Sequence, residues 1–193
     1  MLSEKFKNKN IILASGSPRR QELFKELGLN FSIKVKSINE IYSSSLKKEE
    51  ITNYLAVLKA NAFEGELSKN DVLITSDTIV WHNDKALEKP KNRQQAINML
   101  QELSDTNHRV ITSVCIKTID TQSVFFDTTE VYFKNLDIKE IEYYVENYKP
   151  YDKAGGYGIQ EWIGFIGVTR LEGSYFNVMG LPVQKLYEEL LKM

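Results

Sequence analysis

Ile11-Ile12-Leu13-Ala14-Ser15-Gly16-Ser17-Pro18-Arg19-Arg20 is the stretch on which the fold turns. A short apolar run, Ile11 to Ala14, has the length and character of a buried strand. Ser17 then offers a hydroxyl for a helix N-cap, and Pro18 has its φ preset for the first helical position. Leu23, Phe24 and Leu27 fall on one face of the helix so begun, and Gly28 closes it. A buried strand running straight into a capped helix is the opening unit of an α/β fold.

The same alternation continues outward. Phe31 to Val35 reads as a strand, Ile38 to Lys47 as a polar loop, and Glu49 to Leu67 as a helix facing inward through Ile51, Leu55, Leu58 and Ala62. Asp71 to Trp81 is an apolar strand, and Asn92 caps a helix that ends at Leu103. Arg109 to Thr118 and Ser123 to Phe133 alternate as two strands of a hairpin closed around Asp120-Thr121-Gln122. An amphipathic helix follows from Ile138 to Tyr148, then a glycine-rich loop from Pro150 to Gly158. Phe165 to Leu171 reads as a last strand and Pro182 to Leu191 as a closing helix. A hairpin among interleaved helices and strands argues for a mixed sheet with flanking helices. The expected organisation is one domain over residues 1–193, with a candidate seam between two lobes in the hairpin.

Composition narrows the function classes. The chain has 193 residues, 42% hydrophobic and 26% charged, which excludes disorder as its main state. Lys and Arg total 25 against 26 for Asp and Glu, so a basic excess for non-specific nucleic-acid binding is absent and any anion site must be local. One cysteine, Cys115, allows neither an internal disulfide nor a cysteine zinc cluster. No segment reaches the ~20 apolar residues of a membrane span, and the polar start at Met1 to Asn10 lacks an apolar core after it. A cytoplasmic protein is the expectation.

Three segments carry chemistry. Arg19 and Arg20 lie in the first turn after Ser17, where cations oppose the helix dipole. Two readings fit: a capped surface helix with solvated arginines, or a phosphate cradle of N–H groups, the Ser15 and Ser17 hydroxyls and both guanidiniums. Asp77 interrupts the apolar run Val72 to Trp81, sharing a strand face with Leu73, Thr75 and Ile79. A carboxylate there is costly unless paired or bound to metal, so it is either a satisfied strand-end acid or a ligand or general base. Lys153-Ala154-Gly155-Gly156-Tyr157-Gly158-Ile159-Gln160 is either a flexible turn or a loop that lets backbone approach a ligand. In the second reading Lys153 faces phosphate, and the Gln160 amide suits the acceptor–donor–acceptor edge of uracil or thymine. Taken singly, Glu40, Lys59 and Lys89 read as solvated charges, His108 as a turn-fixing residue, Cys115 as inert core, and Tyr143, Tyr144, Tyr148 and Tyr151 as packing.

Read together, these segments resemble the Maf family of nucleoside triphosphate pyrophosphatases along nearly the whole chain. The resemblance runs through Leu13 to Arg20, Leu55 to Ala60, Ser76 to Val80, Glu88-Lys89-Pro90 and Ala96 to Leu100. It continues through Leu103-Ser104, His108 to Val110 and Lys153 to Gln160, and ends with Gly173 to Pro182. It implies the elongated α/β fold shared with inosine triphosphatase, two lobes around a deep cleft, and hydrolysis of a nucleoside triphosphate to monophosphate and pyrophosphate. By resemblance, Asp77 matches the proton acceptor, and Arg19, Thr78 and Gln160 match the specificity positions. The Ala-Gly-Gly-Tyr-Gly-Ile-Gln loop is similar to the branch acting on dTTP and UTP rather than 7-methyl-GTP. The family's divalent cation, Mg²⁺ or Mn²⁺, would lie at Glu40 and Asp77, with Arg19, Arg20, Lys59 and Lys89 toward the triphosphate and Lys153 in a lesser part. A homodimer is implied by resemblance alone. Departures are Tyr54, where Arg is frequent, Asn39 for Asp, Glu88 for Gly and Lys134 for Arg. No covalent nucleophile stands out, so direct water attack at the α-phosphorus is expected. The rivals are a nucleotide-binding cell-division regulator without turnover, and a pyrophosphatase for modified nucleotides.

Overall fold

The computed structural model describes residues 1–193. In chain order the elements are α1 (Leu2–Lys5), β1 (Asn10–Leu13), α2 (Pro18–Lys25), β2 (Phe31–Ile33), α3 (Glu49–Asn61), β3 (Asp71–His82) and β4 (Lys85–Leu87). They continue with α4 (Arg93–Leu103), β5 (Asn107–Lys117), β6 (Gln122–Phe133) and α5 (Ile138–Tyr148). A 3₁₀ turn (Ala154–Gly156), α6 (Trp162–Gly167), β7 (Val168–Glu172), α7 (Tyr175–Val178) and α8 (Val183–Lys192) complete the chain. The strands form one seven-stranded mixed sheet in the order β2-β1-β3-β5-β6-β7, with β4 antiparallel on β3.

β1 is parallel to both neighbours, Ile11 facing Phe31 on β2 and Ile12 facing Leu73 on β3. Parallel neighbours need crossovers, and α2 and α3 supply them. Because β2 lies on one side of β1 and β3 on the other, the chain reverses its winding at the carboxyl end of β1. In open α/β sheets that is where ligand sites form.

The chain divides into two compact units, one of Met1–Asp77, Thr112–Asp127 and Gly180–Met193, the other of Thr78–Ile111 and Thr128–Met179. In the first, Ile12, Leu73 and Cys115 pack against Ala56, Ala60 and Phe63 of the α3 region. Burial pushes the Cys115 thiol up to about 11, which suits inert core. In the second, Ile97, Leu100, Val131, Phe133, Ile141 and Ile163 belong to one core. Burying each such side chain contributes about 1.5–3 kcal/mol.

Two local expectations need correction. Phe165 to Gly167 is not strand: it ends α6, and β7 starts only at Val168. The apolar run Trp162-Ile163-Gly164-Phe165-Ile166 has no resolvable period at this length, and Gly164 decides the outcome. A Cβ at Gly164 would stand 2.0 Å from the Ile159 carbonyl oxygen, so only glycine lets α6 sit there. The helix expected over Glu49 to Leu67 ends at Asn61, with turns following and Gly65 at φ +76°.

Candidate active site

The carboxyl end of β1 is built as its sequence suggests. Ser17 caps α2 by accepting from the Arg20 N–H, and Pro18 occupies the first helical position. Ser15 is buried, its hydroxyl accepting the Ser17 N–H at 3.3 Å and its carbonyl accepting from Gln21 Nε2 at 3.0 Å. Arg19 and Arg20 are both half-buried, not fully solvated.

Arg20 does more than face solvent. Its Nε–H donates to the Gly180 carbonyl at 2.8 Å and one terminal N–H to the Ser76 carbonyl at 2.9 Å. One guanidinium thereby ties the start of α2 to β3 and to the segment before α8. Burial lowers the Arg20 pKa, opposed by the charges of Asp77 and Glu40 and reinforced by that of Arg19. Those causes place Asp77, Arg19 and Glu40 within electrostatic reach of Arg20.

Asp77 is buried at 6% exposure and is neither orphaned nor satisfied by backbone alone. Lys59 Nζ lies 2.6 Å from its Oδ1, and the same ammonium lies 3.2 Å from Glu40 Oε1. The strand and helix spacings explain the meeting. Leu73, Thr75 and Asp77 share the β3 face toward α3, where Thr75 Oγ1 donates to the Ala56 carbonyl at 2.7 Å. Two residues further along β3 and three along α3, Asp77 meets Lys59. Lys59 is therefore not a solvated charge, and Glu40 is an ion-paired one. The polar loop carries Glu40 to the cluster, although its side chain stays 48% exposed.

Both carboxylates, Asp77 and Glu40, meet at the Lys59 ammonium, at 2.6 and 3.2 Å. Hard oxygen donors of this kind suit Mg²⁺ or Mn²⁺, which keep water and substrate phosphate in their shell. No group of three His, Cys, Asp or Glu side chains is suited to hold a metal ion, so the protein would offer two carboxylates and no closed cage.

Thr78, Lys89, Lys153 and Gln160 belong to the second unit. Thr78 is half-buried directly after Asp77, Lys89 is exposed, and Gln160 is half-buried. The Gly155 N–H donates to the Glu88 carbonyl at 3.2 Å, which sets the glycine-rich loop beside the segment carrying Lys89. Gly155 has φ +70°, and a Cβ there would stand 2.8 Å from a Val80 methyl, so the loop lies close on β3.

Lys153 is not an open cation. It is 8% exposed, with its ammonium 2.7 Å from Asp152 and 3.0 Å from Glu161. Tyr157 anchors the loop inward, its hydroxyl 2.7 Å from His108 Nε2. His108 is a buried member of β5, and burial lowers its pKa to about 3, so its ring stays neutral. Tyr144, which reads from the sequence as packing alone, and Glu161, which carries no sequence signal, also hold this loop. The only available signal was that Tyr144 occupies the apolar face of α5, where a phenol needs a partner.

The Maf-like protein family matches residues 10–193, and the chain belongs to that family. It is 62% identical over 190 residues to the dTTP/UTP pyrophosphatase of Flavobacterium johnsoniae, covering 98% of each chain. It is 56% identical to the protein of that name from Flavobacterium psychrophilum, covering 99% of this chain and 98% of the relative. Among solved structures, the Staphylococcus aureus Ham1 protein aligns at TM-score 0.47 and 18% identity, over 65% of this chain and 72% of that one. No helix is long and apolar enough to cross a membrane.

Proposed function

We propose that this protein hydrolyses dTTP and UTP to the monophosphate and pyrophosphate, cleaning the nucleotide pool in the cytoplasm. The observation that carries the chemistry is the Lys59 ammonium held between Asp77 and Glu40 beside Arg20. The substrate choice is supported by the name of relatives that are 62% and 56% identical over nearly the full chain, and by the Gly-rich loop ending in Gln160.

Water attacks the α-phosphorus, with Asp77 orienting it and accepting its proton. The new P–O bond forms as the bond from α-phosphorus to the α–β bridging oxygen breaks, and pyrophosphate leaves with the electron pair. Arg19, Arg20, Lys59 and Lys89 offset charge on the phosphates, and Ser15 and Ser17 shape the turn around them. Catalysis of this kind is chiefly positioning and electrostatic stabilisation. A divalent cation held by Glu40 and Asp77 would supply further positive charge to the phosphate oxygens. Thr78 and Gln160 select the base. Lys153 acts through its carboxylate partners on the loop rather than on phosphate.

The test is a panel of nucleoside triphosphates with Mg²⁺ or Mn²⁺. We expect kcat/KM for dTTP and UTP to exceed that for purine triphosphates by roughly tenfold or more. A flat panel, or binding without turnover, contradicts the proposal.

A further inference from the structure

The loop carrying Gln160 is held by a network to which the reaction assigns no part. Tyr144 on α5 is fully buried, its ring stacked on Tyr148 at 5.0 Å. Its hydroxyl accepts the Gly158 N–H at 2.9 Å and donates to Glu161 Oε2. A phenol has one proton, so the N–H donor of Gly158 and the carboxylate acceptor of Glu161 fix both directions. Burial first, and the Glu161 hydrogen bond second, push the Tyr144 pKa well above its ordinary value, so that proton stays. The other Glu161 oxygen lies 3.0 Å from Lys153 Nζ.

The relay therefore joins the start of the loop at Lys153, its middle at Gly158 and its end at Glu161. Gln160 lies inside that closed circuit. After it, the Glu161 N–H bonds the Gly158 carbonyl at 3.0 Å. Before it, the Ile159 carbonyl packs on α6 so closely that Gly164 admits no Cβ. Both neighbours of Gln160 are thus fixed. A loop with three glycines has much conformational entropy to lose, and ordering it before the ligand arrives removes that cost from binding.

We propose that Tyr144 and Glu161 are positioning residues for base selection, setting the orientation of the Gln160 amide through the Tyr144–Glu161–Lys153 relay. The proposal rests on the reading of Gln160 as a base-selecting residue. An amide in one orientation can separate uracil, whose edge runs acceptor–donor–acceptor, from cytosine, whose exocyclic group is a donor. An amide free to reorient cannot.

The test compares wild type, Gln160→Ala, Tyr144→Phe and their double variant, by kcat and KM for UTP and CTP and by hydrogen exchange over residues 153–162. For Tyr144→Phe we expect KM for UTP to rise about tenfold and the UTP/CTP preference to move toward that of Gln160→Ala. Exchange of the loop amides should be at least ~10 times faster. The double variant should lose little further selectivity, because both changes act through one group. Retained selectivity in Tyr144→Phe, with loss in Gln160→Ala, overturns this proposal and leaves the Gln160 reading standing. Equal losses for UTP and CTP also overturn it, since they mark a merely structural hydroxyl. An unchanged nucleotide profile in Gln160→Ala removes the base reading and this proposal with it. Should Tyr144→Phe fail to fold, Glu161→Gln replaces it, and the same readings decide.

Discussion

Asp77→Asn is expected to lower kcat by at least ~10², equivalent to about 2.7 kcal/mol of lost transition-state stabilisation. Asparagine keeps the shape and one acceptor oxygen, so the fold should survive. It removes the negative charge that Lys59 meets at 2.6 Å and the atom proposed to take the proton from water. Glu40, at 3.2 Å, would then be the carboxylate left to Lys59, beside the Ser76 carbonyl at 3.5 Å. Steady-state kinetics on a variant with an unchanged melting curve provides the check. Turnover close to that of wild type would remove Asp77 from the reaction.

Arg20→Ala should be costly in a different way. Its Nε–H and one terminal N–H satisfy the Gly180 and Ser76 carbonyls, at 2.8 and 2.9 Å. Hydrogen bonds from a charged donor contribute about 1.5–3 kcal/mol each, so losing both should cost at least about 3 kcal/mol, which lowers Tm by roughly 6–12 °C or more. Ser76 immediately precedes Asp77, so activity should fall as well. Arg20→Lys should rescue little, because one ammonium cannot reproduce the planar fork that reaches both carbonyls. Thermal unfolding of both variants measures this. A lysine variant as stable as wild type would show that charge alone suffices.

The chain announced its α/β alternation because its strands are apolar runs bounded by caps and turns. Ser17 and Pro18 mark the start of α2 in the sequence and do so in the structure. Phe165 to Gly167 misled because a five-residue apolar run fits a strand or a buried helix equally, and a backbone contact at Gly164 settles it. At the site, Asp77 was legible as a charge in an apolar strand. Its partner was not, since Lys59 is an ordinary helical lysine until α3 is docked on β3 through Thr75 and Ala56. Likewise, the glycines marked the loop, but nothing local showed that Lys153 would be enclosed by two carboxylates or that Tyr144 would bind the loop backbone. Residue types reveal what a group can do; tertiary packing decides whether its charge is already engaged.

The central claim is that water attacks the α-phosphorus beside Asp77. Hydrolysis of UTP in ¹⁸O-labelled water, with mass analysis of the products, tests it directly. The account predicts unlabelled pyrophosphate and a single ¹⁸O in UMP. Label in pyrophosphate, or release of labelled orthophosphate, would contradict it.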